Sequence, residues 1–381
     1  MEINRLDLAN KKQVQDFLNL PFHIYRDTPQ WVPPLDVDAK LILDPSRHPF
    51  YKHSQAAFFL ATRNNSPCGR LAVINNTRYN AYNRTRAGFF YLFETENDPE
   101  SASRLFEAGS AWAREQNLTE LIGPKGFTPL DGFGLLVRGF EHRPAFGLPY
   151  NPPYYADLID AQGFQMVSEA VSGYLSPLLE FPEKIHQLSE KIQQRRGLYI
   201  ARYKTRGDLR ELIAHLKELY NGALEGTSGN YPLEDDDVKA MADQLLWFAD
   251  PKLVKIVMKK EEPGKGPDKP VGFLLAYPDI SAALQKTRGK LFPFGWLALL
   301  LEMKRTNWVN INGAGMLDEY RGLGGTAILF SEMYKTIRES GQFRHADLVQ
   351  IGLENDRMQR ELRDLGVDFY KMHRVYRKEL G

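Results

Sequence analysis

The same order of apolar segments occurs twice in this chain, once in each half, and a repeated order of that kind admits few folds. The first half carries AAFFLAT, GRLAVINN and GFFYLFE, a helical stretch from about Ser101 to Arg114, then LTELIGP and a helix over YYADLIDAQ that closes on Gly163-Phe164. The second half carries LVKIVMK, VGFLLAY and WVNINGAGML, a helix from about Gly325 to Glu339, then ADLVQIGL and NDRMQRELRDL closing on Gly366-Val367. Both read β-β-β-α-β-α-β, with long helical segments ahead of the first strand pair, such as DLRELIAHLKELYNGAL and DDVKAMADQLLWF in the second half. The expectation is an α/β fold, a mixed sheet with flanking helices, in two tandem copies. Residues 1–180 form the first and residues 198–381 the second. A linker helix spans 181–197, with Ile185, Leu188 and Ile192 at helical spacing. Glu261–Pro270, EEPGKGPDKP, has the composition of a surface hairpin loop.

Composition removes several classes of function. Lys plus Arg number 49 against 48 for Asp plus Glu, a net charge of +1 that gives no general nucleic-acid surface. The single cysteine, Cys68 in the segment SPCG, excludes an internal disulfide, and the histidines never fall at i, i+4, so no metal is expected. The N-terminus is charged and amphipathic without a signal core, which makes a cytoplasmic location the default. The longest apolar run, LFPFGWLALLLEM from Leu291 to Met303, is shorter than the roughly 20 residues that cross a bilayer. It reads first as a core element. Its flanks, Arg288, Lys290, Lys304 and Arg305, also suit a weak contact with the inner membrane face, and the run would equally wall an acyl-chain tunnel.

The sharpest chemistry lies in DEYRGLGGTA, Asp318 to Ala327, between a strand and a helix whose Leu329, Met333 and Ile337 repeat at i, i+4. Free N–H groups at a helix start, in a loop that glycines keep open, form an anion site suited to a pyrophosphate. Gly322, Gly324 and Ala327 formally fit a dinucleotide fingerprint, but four residues separate the strand from the first glycine, and no Gly-Lys-Ser/Thr marks a Walker loop. The loop resembles motif A of the GNAT acyltransferase superfamily through Arg321 and Gly324, with Thr326 departing where a smaller residue is usual. Asn355 and the LRDLG that ends at Gly366 resemble motif B. The resemblance implies that Ala314, Gly315, Met316, Leu317, Arg321, Gly322, Leu323, Gly324, Gly325, Thr326 and Asn355 bind acyl-CoA or acetyl-CoA. Strand N–H groups around Ala314 to Met316 would hold the thioester carbonyl. The tyrosine that often protonates the leaving thiolate in that superfamily falls at Leu362.

The first half lacks such a loop. Thr95, Glu96, Asn97, Asp98 and Pro99 follow its third strand, and carboxylates there repel a pyrophosphate. The segments FFYLFE, GPKGFTPLDGFGLLVRGF, PYNPPYY and LFPFGW are similar to those of a bacterial family of tandem GNAT-like proteins, over nearly the whole chain. That resemblance implies N-acyl transfer from CoA to an amine, a lipid amine among the candidates, since relatives include enzymes proposed to acylate a sphingoid-type amine. Tandem N-myristoyltransferases share the two-copy architecture. On this reading the first half holds the acceptor, with Glu94 as base, Tyr154 and Tyr155 as acids, and Asp131, Tyr150 and Asn151 as substrate contacts. Each has a plainer reading: Glu94 as a strand-end carboxylate in solvent, Asp131 as a turn former, Asn151 as a helix N-cap amid aromatic packing. The rival function is a non-catalytic protein that binds acyl-CoA or a peptide, which Leu362 and Thr326 favour.

Overall fold

The structure, a computed structural model, describes the chain apart from Leu130 and residues 177–180, 225–230, 263–265 and 322–323. Its first half contributes strands β1 (Glu2–Arg5), β2 (Gln55–Arg63), β3 (Ser66–Asn75), β4 (Ala87–Thr95), β5 (Glu120–Gly123), β6 (Leu135–Arg138) and β7 (Gln165–Leu175). The second half contributes β8 (Leu198–Ile200), β9 (Val254–Lys259), β10 (Lys269–Pro278), β11 (Trp308–Met316), β12 (His345–Gly352) and β13 (Asp368–Glu379). All join one sheet in the order β1-β2-β3-β4-β5-β13-β7-β12-β11-β10-β9-β8, with β6 also on β13.

The halves are not closed separately. Each gives its last strand to the centre of the sheet: β13 lies between β5 and β7, and β7 lies between β13 and β12. Sequence order alone leaves this crossing of partners invisible, because each strand follows the closing helix of its own half and nothing in either segment marks which half it completes.

Two parallel pairs open as forks. β4 and β5 pair only from Ala87↔Glu120 to Phe89↔Ile122, although β4 continues to Thr95 beside β3. β11 and β12 pair only from Trp308↔His345 to Ile311↔Leu348, although β11 continues to Met316 beside β10. Each fork contains a bulge. Leu92 and Phe93 together oppose Leu71, with Leu92 at φ 50°, and Asn312 is the extra residue between Ile311 and Gly313 opposite β10. A bulge bends its strand and strengthens its twist, which steers β4 and β11 away from their parallel neighbours.

Apolar faces seat the helices that frame these forks. Leu329, Met333 and Ile337 of the Gly325–Ser340 helix are buried against β9, β10 and β11, as the i, i+4 spacing requires. Ala102, Leu105, Phe106 and Ala113 of the Pro99–Glu115 helix do the same against β2 to β4. A helix forms over Glu183–Arg196 within the segment 181–197, packed on the Gly325–Ser340 helix, with Ile192 buried and Leu188 exposed. Cys68 sits buried within β3 rather than in a turn.

The Leu291–Met303 run departs from its first reading as core. It forms a helix over Gly295–Arg305 that buries Gly295 and Leu299 and leaves Trp296, Leu297, Leu300 and Leu301 exposed.

Candidate active site

The second-half fork is open on the side that faces β12. Successive residues of a strand turn their N–H and C=O toward alternate neighbours. Between Gly313 and Met316 one set meets β10, and the other has no partner on β12. The Gly325–Ser340 helix begins where β11 ends, from Gly324 in the left-handed conformation at φ 86°, and no side chain caps it. Its first N–H groups therefore remain available to an anion. Glycine suits this wall: Gly324 holds φ 86°, where a Cβ would also meet the Ile192 Cδ1 at 2.0 Å, and a Cβ on Gly325 would displace the Met316 Cε, 2.3 Å away.

Arg321 braces the loop with its side chain. Its Nε donates to the Met316 carbonyl at 3.2 Å, and Nη2 donates to the Ala223 carbonyl at 2.7 Å. Nη1 lies 3.2 Å from the Asp318 carboxylate. Leu317 donates its N–H to the Val271 carbonyl, and Thr326 is half-buried in the first helical turn. Gly322 and Leu323 lie outside the described residues. Asn355 caps the Asp356–Asp364 helix, its Oδ1 accepting from the Met358 N–H at 3.1 Å. Leu362 is 1% exposed in the second-half core, so no hydroxyl occupies the position of the expected acid.

The first-half fork is filled by its own chain. The Tyr155 hydroxyl accepts from the Thr95 N–H at 2.8 Å, and the Tyr154 hydroxyl donates to the Thr95 carbonyl at 3.0 Å. Asn151 does not cap a helix. Its Oδ1 accepts from the Leu136 N–H at 2.7 Å and its Nδ2 donates to the Leu136 carbonyl at 3.1 Å, as a neighbouring strand would. Tyr150 spends its hydroxyl on the Phe140 carbonyl at 2.8 Å. The helix start is closed as well: Asp98 accepts from the Glu100 N–H at 3.1 Å and forms an ion pair with Arg63 at 2.7 Å.

Glu94 lies inside this filled fork rather than in solvent. Its Oε2 accepts from Tyr25 at 2.6 Å and Tyr155 at 2.9 Å, and its Oε1 is 3.8 Å from the Arg70 guanidinium. Burial pushes the Glu94 carboxyl above its ordinary value, while Arg70 and the two phenols pull it back in part. The same burial, with the carboxylate beside them, raises Tyr25 and Tyr155 well above ordinary phenols. Sheet order separates this cluster from the second fork. From β4 to β11 are five strand spacings, or about 24 Å at about 4.8 Å each.

Between the forks runs the loop that connects β5 to β6. Asp131 accepts from the Thr128 N–H at 2.8 Å, and burial raises its carboxyl. Two residues on, Phe133 exchanges both backbone hydrogen bonds with the side-chain amide of Gln350 on β12. Gln350 itself adopts φ 34°. Lys125, in the same loop, has its ammonium 4.5 Å from the Tyr79 ring centroid and 4.8 Å from that of Phe89, and burial lowers it to about 8.

Sequence reasoning missed a buried polar group beneath the second fork. Lys371 and Asp347 form an ion pair at 2.6 Å with both side chains almost wholly inaccessible, and Tyr370 donates to the same carboxylate oxygen at 2.8 Å. Asp279, bound by Arg143 at 2.6 Å and by Ser281 and Asn310, lies alongside. The available signal was an aspartate inside the apolar run HADLVQIG and a lysine inside FYKMHRV.

Known proteins resemble this chain over its full length. It is 25% identical over 379 residues to Protein YghO of Escherichia coli (strain K12), covering 97% of this chain and 94% of that one. It is 24% identical over 388 residues to the bacterial ceramide synthase of Caulobacter vibrioides, covering 100% and 98%. No protein-family profile matches it. Among solved structures, a tandem GNAT protein from the clavulanic acid biosynthesis pathway superposes with a TM-score of 0.56 at 12% identity, covering 100% of this chain and 98% of that one. A GCN5-related N-acetyltransferase from Sphaerobacter thermophilus superposes with a TM-score of 0.50 at 14% identity, covering 100% and 95%. With two forks in its single sheet, a bulge in each fork and full-length superposition, the fold of this chain is the tandem GNAT fold.

Proposed function

We propose that the protein is an N-acyltransferase that takes its acyl group from CoA, binds that thioester in the second-half fork, and transfers the group to the amine of a small molecule or lipid. The observation that carries the reading is the contrast between the forks. One has an uncapped helix start beside strand groups that lack a ladder partner; the other has its helix start capped by Asp98, the Thr95 backbone taken by Tyr154 and Tyr155, and the Leu136 backbone taken by Asn151. The unit boundaries of this proposal are 1–180 and 198–381, joined by 181–197.

The N–H groups of Gly325 to Ala327 would receive the pyrophosphate, and the free edge of Ala314 to Met316 would hold the thioester carbonyl and its developing oxyanion. A neutral amine attacks that carbonyl, the C–N bond forms, and the C–S bond breaks. The amine proton passes to a base and the thiolate leaves. A thiol is far more acidic than an alcohol or an amine, so the CoA thiolate departs as its anion with little help and Leu362 does not forbid the reaction. Asp131 suits the acceptor ammonium because its loop is tied to β12 through Phe133 and Gln350. Glu94, about five strand spacings away, suits the first-half cluster better than the thioester, and we assign Glu94, Tyr150, Asn151, Tyr154 and Tyr155 to keeping that fork filled. The name of the Caulobacter relative supports a long-chain lipid amine as acceptor. Among the described residues no helix is long and apolar enough to cross a membrane.

The test is thiol release from acetyl-CoA and longer acyl-CoAs, with and without long-chain amines, followed by mass measurement of the amide. The buried Leu362 favours the second reading, a binder of acyl-CoA. Thermal stabilisation by acyl-CoA without thiol release for any amine would support that binder and overturn the enzyme.

A further inference from the structure

The insertion between β10 and β11 presents an apolar surface that none of the described residues covers. Ile280, Ala283, Leu284 and Leu299 anchor it, packed with Leu35 of the first half. Beyond that anchor Phe292 is 77% exposed and Phe294 is 74% exposed, while Trp296, Leu297, Leu300 and Leu301 continue the surface along the Gly295–Arg305 helix. Spacings of four residues between Trp296 and Leu300, and between Leu297 and Leu301, set these side chains on one outward face. The tip is fixed by its own contacts. The Trp296 indole donates to the Pro293 carbonyl at 3.2 Å, and a Cβ on Gly295 would lie only 1.7 Å from the Lys290 carbonyl oxygen.

Charge around the patch is predominantly positive. Lys286, Arg288, Lys290, Lys304 and Arg305 are exposed, and Glu302, half-buried, is the single carboxylate between Lys286 and Arg305. The carboxylate of Asp36, on the adjoining helix, is held by Lys40 at 2.6 Å. Aromatic and leucine side chains flanked by lysine and arginine are what the boundary between headgroups and acyl chains takes up. A second copy of the chain would oppose the same cations across a two-fold axis, an arrangement that like-charge repulsion disfavours.

We propose that the Ile280–Arg305 insertion docks on an anionic bilayer, its Phe292–Leu301 surface entering the headgroup boundary and its basic rim meeting the lipid phosphates. Docking would aim a contiguous row of rings inward. Arg288 covers Phe22, Phe22 packs on Trp31, and Trp31 stacks on Tyr25, so the lipid surface is linked by contact to the first half. The proposal does not depend on acyl transfer, and its assay contains no CoA.

Co-sedimentation with vesicles of phosphatidylcholine containing phosphatidylglycerol, at low and high salt, tests it. The parent protein should pellet with the mixed vesicles at low salt and be released by salt. The combined variant Phe292→Ser, Phe294→Ser, Trp296→Ser should lose at least about tenfold in partition, with an unchanged circular dichroism spectrum. Lys290→Glu with Lys304→Glu, both at exposed positions, should lose about fivefold or more for each cation removed. Absence of parent binding at low salt, or equal binding by the aromatic variant, would overturn the proposal. So would a parent dimer that the aromatic variant converts to monomer, since a second copy would then cover the face.

Discussion

Thr326→Glu tests the proposed anion site without disturbing the fold. Thr326 is half-buried in the first turn of an uncapped helix, where a carboxylate is favoured by about 0.3–1 kcal/mol. The unliganded variant should therefore melt at or slightly above the parent temperature. A CoA pyrophosphate brings about two negative charges, and each pair of like charges at about 4 Å costs about 1 kcal/mol in water and more where screening is weaker. A total of about 2.7 kcal/mol weakens binding about a hundredfold, so a ligand supplied at a hundred times its original dissociation constant falls from about 2.7 to about 0.4 kcal/mol of stabilisation. At about 2.1 cal/mol/K per residue, the 381 residues give about 0.8 kcal/mol per degree if they unfold together. By the same scaling the shift with CoA should drop from about 3 °C to about half a degree. Gly324→Glu is a poorer probe, because its Cβ would lie 2.0 Å from the Ile192 Cδ1 and its φ of 86° suits glycine. Glu96→Gln, beside the closed helix start of the first half, should keep the full shift. A folded Thr326→Glu protein that retains the parent shift would refute the assignment of the pyrophosphate to this loop.

Three further outcomes follow from the packing. Tyr155→Phe removes a donor to Glu94 and the acceptor of the Thr95 N–H, so urea unfolding should show a loss of about 1–3 kcal/mol with the CoA-induced shift intact. Loss of the shift would return Tyr155 to the acyl-transfer site. His373 is held down to about 4 by burial, against 6.5 for the free side chain. The unfolded chain therefore takes its proton first, and stability that is full above about 6.5 is lost as pH falls toward 4, by about 3 kcal/mol in all. The raised Glu94 and Asp131 carboxyls act oppositely, their contribution declining as pH rises through the carboxylate range. His373→Gln isolates the histidine: the gap in urea midpoint between about pH 7.5 and about pH 4.5 should narrow, and an unchanged gap would contradict the assignment. Residues 1–180 and 198–381, expressed apart, should each fail to unfold cooperatively, because each lacks a central strand of its sheet. Cooperative melting by either piece as a monomer would count against the exchanged arrangement.

Local signals carried the element order and the uncapped helix start after Gly324, and global signals were weaker. The Leu329, Met333, Ile337 stripe and the glycines around Gly324 are decided within one helical turn, so spacing and composition suffice to read them. The filling of the first fork depends on two tyrosine hydroxyls and one asparagine amide reaching strands that lie some 15 to 60 residues away in sequence. Nothing in PYNPPYY distinguishes such a plug from a catalytic group. The Gly295–Arg305 helix misleads for another reason. Apolar content records what a side chain would bury, not whether the fold supplies a partner, and here the fold fully buries Gly295 and Leu299, packs Ala298 and Met303 in part, and leaves Trp296, Leu297, Leu300 and Leu301 exposed. Lys371 and Asp347 pair across two strands with no shared local pattern, so only three-dimensional register reveals them.

The exchange of β7 and β13 also bears on how the chain is made. Synthesis proceeds from the N-terminus at about 5–20 residues per second, and about 190 residues separate the end of β7 from the start of β13. Throughout that interval, about 10 to 40 seconds, β5 and β7 emerge with the edges that β13 will cover still open. An open apolar edge is a template for pairing with another chain. The nascent first half should therefore be a client of ribosome-associated chaperones, and a chain interrupted before Asp368 should aggregate rather than persist as a half-molecule. The residues translated last hold together what was translated first.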